Sequence, residues 1–71
     1  MQIKNATEVA KAFCENLLHA LQSATAIYGR PSNLSDQQRR IAIQVLRYMR
    51  KHGWLSRDDA RWAISQGIQL A

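Results

Sequence analysis

Five basic residues fall within one short stretch, Ser35–His52 (SDQQRRIAIQVLRYMRKH): Arg39, Arg40, Arg47, Arg50 and Lys51. Four of the five are arginines. The planar guanidinium presents a rigid fork of donors that matches phosphate and carboxylate oxygens, so this is chemistry for holding anions rather than for moving protons. Stepped at 100° per residue, the five gather on one side of a helix, while Ile41, Ala42, Val45, Leu46, Tyr48 and Met49 fall on the other. The basic side covers about three turns, ~16–18 Å of helix axis. That length suits a few phosphates of a nucleic acid or a row of carboxylates. Because these side chains point away from the apolar stripe, replacing Arg39, Arg47 and Arg50 is expected to leave the fold intact.

The charge of the chain is concentrated here. It carries ten Lys and Arg against five Asp and Glu, a net +5 with histidine neutral. From Arg30 to Lys51 there are six basic residues and one acid, Asp36, which accounts for the whole excess. The flanking segments each balance to zero. An uncompensated positive field favours an anionic partner, either nucleic acid or an acidic protein surface.

Other chemistry finds little material. His19 and His52 belong to different predicted helices, with no carboxylate at ligand spacing. Cys14 and His19 diverge by about 140° around one helix and cannot share a metal. Cys14 itself faces the apolar side and reads as a small core residue. No glycine-rich phosphate loop and no Ser-His-Asp set is present. The reading is a protein that is not an enzyme, with no cofactor and no metal.

Seventy-one residues make one domain, 1–71, with a core too small to give a wide stability margin. With a single cysteine no internal disulfide can staple it. That cysteine usage and the absence of an apolar leader suggest a reducing, cytoplasmic setting. No apolar run approaches the ~18 residues of a membrane span, so no membrane partner is expected. Apolar residues make up 46%, well above a disordered composition.

Three helices, at about 6–28, 35–52 and 56–66, must position the basic residues. Asn5 and Glu8 have capping-box spacing, and so do Ser35 and Gln38. Ser56 caps the third helix, with Asp58 and Asp59 in its first turn. Gly29, Gly53 and Gly67 close the three helices, and Pro31 bars continuation of the first. Met1–Lys4 reads as a loose end and Arg30–Leu34 as a short loop. The first helix carries an apolar stripe of Val9, Ala10, Phe13, Leu17, Ala20, Leu21, Ala24, Ile27 and Tyr28. Nothing alternates with period two, so no strand is expected. The predicted architecture is an all-α three-helix domain: a long antiparallel helical hairpin closed by a short C-terminal helix, with Ile68 and Leu70 folded back onto it. Its core is expected to join Phe13, Leu17 and Leu21 to Val45, Tyr48 and Met49.

The stretch VLRYMRKHGWLSRDDARWAI (Val45–Ile64) resembles the opening of helix-turn-helix and winged-helix DNA-binding domains. The resemblance covers about 20 of the 71 residues. Val45, Leu46, Met49, Gly53, Leu55, Ser56, Ala60 and Ile64 take the roles of an apolar helix, a glycine turn and a capped second helix with a small residue inside it. It implies nucleic-acid binding. The match departs at Met49, where a small residue is usual, and at Asp59, where an apolar one is usual. In the winged-helix register the chain ends before the recognition helix; in the simple helix-turn-helix register, where the third helix enters the groove, Asp58 and Asp59 oppose phosphate. The resemblance therefore implies backbone binding by the central helix more than base readout.

Ile43 lies within the basic arc, and Trp62 lies off the apolar side of the third helix. Both read as exposed interface anchors, with Trp54 in the hinge as a third; they suggest a homodimer first and a contact with a partner protein next. Two readings of function follow. One is a small regulatory protein docking its arginine face on nucleic-acid phosphates. The other is a small inhibitor or adaptor, of the compact kind that phages and mobile elements carry, laying the same helix on an acidic groove of a host protein.

Overall fold

The computed structural model describes residues 5–27, 30–31 and 33–70, and these form three helices: α1 (Ala6–Ala24), α2 (Asp36–Lys51) and α3 (Arg57–Ser65). The domain is all-α, with α1 and α2 packed together as a helical hairpin. Each helix begins where a short polar side chain can take up a free backbone N–H. The Asn5 side chain accepts from the Glu8 N–H, and Ser56 accepts from the Asp59 N–H. At α2 the bond is reciprocal: Ser35 accepts from the Gln38 N–H while the Gln38 side chain accepts from the Ser35 N–H. Gly53 and Gly67 follow the ends of α2 and α3 with φ of +72° and +73°, a conformation that side chains with a Cβ avoid.

The first helix is shorter than its periodicity predicts. It stops at Ala24, four residues before Tyr28, and Thr25 is the reason. The Thr25 hydroxyl donates to the Gln22 carbonyl at 2.7 Å and accepts the Trp62 indole N–H at 3.0 Å. Both bonds hold it as the cap. The chain then turns back through a minimal antiparallel strand pair, β1 (Ala26–Ile27) and β2 (Arg30–Pro31), in which Ala26 faces Pro31 and Ile27 faces Arg30. Ala26 and Ile27, expected in the last turn of the first helix, thus pair with Arg30 and Pro31 of the expected loop in a ladder too short to leave a periodic signal. The readings of Met1–Lys4, Tyr28 and Gly29 lie outside the described residues.

The core consists of Cys14, Leu18, Leu21, Leu34, Ala42, Val45, Leu46, Met49, Ala63 and Ile68, with Leu46 and Met49 the largest side chains fully enclosed. Leu21, Val45 and Met49 are placed as expected. Phe13 and Tyr48 are not: they are 67% and 45% exposed, and Leu17 is only half-buried. The apolar arc of α1 is wider than one contact face, and the helix is rotated by roughly a quarter-turn from the predicted stripe. Cys14 and Leu21 face inward as expected, and Leu18 and Thr25 join them there. Ile68 is buried and Leu70 packs against the core, as the fold-back predicts.

The enclosed Leu46 makes a direct check of this facing. Leu46→Ala should destabilise by ~2–5 kcal/mol, whereas Phe13→Ala should leave the melting midpoint of the monomer nearly unchanged. Paired denaturant titrations of the two variants measure both; equal destabilisation would mean that α1 faces the other way.

Candidate functional site

The outer face of α2 is built by its own periodicity. With Ala42, Val45, Leu46 and Met49 buried, the direction diametrically opposite is occupied by Arg40, Gln44, Arg47 and Lys51. All four are exposed. Their i, i+4, i+7, i+11 spacing makes a nearly straight stripe, with about 16.5 Å of helix rise between Arg40 and Lys51. Among the described residues the only ion pair is Lys11–Glu15 on α1, at 3.9 Å, so the stripe's three cations have no carboxylate partner there. Asp36, one turn before Arg40, is the only acid on α2.

Arg39 and Arg50 are arranged differently from the prediction. Both turn to one flank and bind the chain that follows α3. Arg39 Nη1 donates to the Gln66 carbonyl at 2.5 Å, and Arg50 Nη1 donates to the Leu70 carbonyl. The reason is local: the last carbonyls of a helix and its tail lack intrahelical donors, and cationic N–H groups satisfy them. The expectation that these two could be removed without structural cost is therefore corrected. Each keeps its charge and further donors, so they border the stripe as fixed cations.

The interface candidates are also repositioned. Ile43 lies on the flank between Arg39 and Arg50, where the tail returns, and it packs against the core instead of standing exposed. Trp62 is half-buried, because its N–H finds Thr25 on α1. Trp54 is half-buried at the end of α2, stacked on His52 with ring centroids 4.6 Å apart, and Tyr48 meets His52 at 4.5 Å. This aromatic trio is the second role of His52 beside capping α2.

Four polar residues carry roles that periodicity does not announce. Gln22 Nε2 donates to Asp59 at 2.8 Å, which ties α1 to α3 and occupies the acid expected to repel phosphate. Gln66, buried at the end of α3, accepts the Leu34 N–H through Oε1 at 3.4 Å and offers its carbonyl to Arg39. With Thr25 these form the polar seam of the fold, and no buried side-chain polar atom among the described residues lacks a partner.

Burial pushes the Cys14 thiol above its ordinary pKa, and the neighbouring Glu15 carboxylate adds to the shift. A buried thiol held protonated is a poor nucleophile and a poor metal ligand. Among the described residues no group of three His, Cys, Asp or Glu side chains could hold a metal ion, and no helix is long and apolar enough to cross a membrane.

Comparison with protein-family models, with characterised proteins and with solved structures finds no match for this chain.

The Arg39–Gln66 contact separates the two classes of arginine. Arg39→Met should lower stability by ~1–3 kcal/mol, because it leaves a half-buried carbonyl without its charged donor. Arg47→Met should stay within about 0.5 kcal/mol of wild type. Thermal melts of the two variants decide the matter, and equal midpoints would assign Arg39 to the free face.

Proposed function

We propose that this protein is a small, non-enzymatic regulatory protein that docks the outer face of α2 on the phosphate backbone of a nucleic acid. The observation that carries the reading is the exposed stripe of Arg40, Arg47 and Lys51, directly opposite the core and without an ion-pair partner among the described residues. With one acid, Asp36, near its end and no ion pair among the described residues, the stripe leaves a positive field that attracts a polyanion along its length. Arg39 and Arg50, held by the tail, add fixed charge at its border without further loss of side-chain freedom on binding.

Gln44 is the only uncharged member of the stripe, and its amide, like the guanidinium forks of Arg40 and Arg47, has the donors to meet a base edge. In this reading phosphate contact supplies the affinity and base contact is secondary. The resemblance of Val45–Ile64 to a helix-turn-helix supports the same class of partner. The turn between α2 and α3 holds a glycine at positive φ, as such turns often do. The catalytic alternatives are poorly supplied: Cys14 is buried, His52 is stacked on aromatic rings and Asp59 is tied to Gln22. The second reading keeps the same stripe and lays it on an acidic groove of another protein.

A salt titration distinguishes the two. Wild-type binding to mixed-sequence duplex DNA should weaken linearly in log affinity against log salt. Replacing Arg40, Arg47 and Lys51 together by Gln should flatten the slope by roughly 0.9 unit for each phosphate no longer neutralised, about 2.7 in all. The weakening should be alike for unrelated sequences, and the circular dichroism spectrum should be unchanged. If wild type binds neither duplex nor single strand at ~50 mM salt, where backbone contacts are strongest, the nucleic-acid reading fails and the stripe passes to an acidic protein.

A further inference from the structure

The exposed side of α1 carries a pattern that neither the fold nor the basic stripe uses. Ala6, Val9, Phe13, Asn16, Ala20 and Ser23 recur at steps of three and four along the 19-residue helix, and all six are exposed. Val9 is 54% exposed and Phe13, the bulkiest apolar side chain of the helix, 67% exposed, although another face of the helix already fills the core. Alternating three-four spacing is the geometry by which one helix presents a seam to another. The seam is centred roughly 140° around α1 from the buried Cys14, Leu18, Leu21 and Thr25, so it is a second contact face and not an edge of the first. Beside it, Ala6, Val9, Ala10, Phe13 and Cys14 form an open apolar cleft with Tyr48 of α2.

We propose that this seam is the contact face between two copies of the chain, paired through α1 in antiparallel orientation about a two-fold axis at Asn16. Three observations select a second copy as the occupant. The first is size complementarity within the seam itself. With Asn16 opposite Asn16, Phe13 of one copy meets Ala20 of the other and Val9 meets Ser23, so each large side chain faces a small one. The second is polarity. Asn16 is the single amide among apolar, small and hydroxyl-bearing positions, and placed on the axis its amide can bond its own twin, a device that fixes register in paired helices.

The third is charge. Each chain carries +5, and two chains repel wherever cations meet. The seam holds no charged residue, and its flanking positions Ala10, Ala12, Leu17 and His19 hold no carboxylate, lysine or arginine. The charges of α1, on Glu8, Lys11 and Glu15, point away from it by more than about 100°. An acidic or polyanionic partner has nothing to bind here, whereas an identical uncharged face does.

A single helix face is smaller than the ~800 Å² per partner of a standard interface, so the dimer is expected to be weak and concentration-dependent. Raising salt should strengthen it, because the seam is apolar and salt screens the repulsion between the two basic bodies. Contact through the basic stripe would have the opposite salt dependence.

The test is sedimentation equilibrium of the full chain across micromolar to millimolar concentration at low and high salt. Wild type should pass from one to two chain masses, with the dimer favoured by salt. Phe13→Glu should remain a monomer with an unchanged circular dichroism spectrum. Ile64→Glu, which alters an exposed apolar side chain outside the seam, should dimerise like wild type. Orientation is read in a Cys14→Ala background: chains carrying Phe13→Cys, mixed with chains carrying Ala20→Cys, should form the mixed disulfide. Val9→Cys chains alone should not cross-link. A wild type that stays monomeric at millimolar concentration overturns the proposal, as does a dimer that Ile64→Glu dissociates and Phe13→Glu does not. Efficient Val9→Cys cross-linking overturns the antiparallel register.

Discussion

The fold depends on how α3, nine residues long, is held against two longer helices. A helix of that length has little stability of its own in water and must draw it from tertiary contact. Its buried apolar contribution is slight, with Ala63 the one fully enclosed residue. Hydrogen bonds that cross between elements do the rest. Trp62 donates to Thr25, Gln22 donates to Asp59, and Gln66 joins Leu34 and Arg39. All lie in half-buried or buried surroundings, where an unmade bond costs more than a made one gains. They act as constraints of position: α3 can sit only where every one of these groups finds its partner.

That constraint propagates to the surface. Thr25 and Gln22 must face α3, so α1 is rotated to bring them inward, and Cys14, Leu18 and Leu21 come with them. Val9 and Phe13 are thereby turned outward. The same docking lays the tail across one flank of α2, where Arg39 and Arg50 take its carbonyls and Ile43 is covered. Two features on different helices, an exposed apolar seam on α1 and the division of the arginines into held and free, thus share one cause.

This also explains what could and could not be read from the sequence. The starts of all three helices were legible, because a cap is a local event and Asn5, Ser35 and Ser56 announce it within four residues. The facing of α2 was legible as well: its polar and apolar sides are sharply divided, so Ala42, Val45 and Met49 could only point one way. The facing of α1 was not. Its apolar residues, many of them alanine, cover more than half its circumference, and periodicity alone cannot choose among several stripes. The choice was made by Thr25 and Gln22 through partners 37 residues away, which no local pattern reveals. The same remoteness hid the roles of Arg39 and Arg50, whose partners lie 27 and 20 residues further on. Of the candidate site, the direction of the basic face was legible and its membership only in part.

The separation of faces has a mechanical consequence. The stripe on α2 points directly away from the core, and the seam on α1 points away from it by a comparable angle on its own helix. On this arrangement, a body docked on one would leave the other accessible. Pairing through the seam would bring the two basic bodies together only through uncharged surface, leaving both stripes free on one assembly. A polyanion long enough to reach both would then meet two arrays of cations in place of one. Its second engagement would proceed at the effective concentration set by the first. A weak interface between copies is no handicap in such an arrangement. Each anion-bound chain would raise the local concentration of the next, so the proposed self-association and binding would reinforce each other without any change of shape in the domain. The requirement is that the seam stays free of charge, since a single added cation there would face its own image across the two-fold.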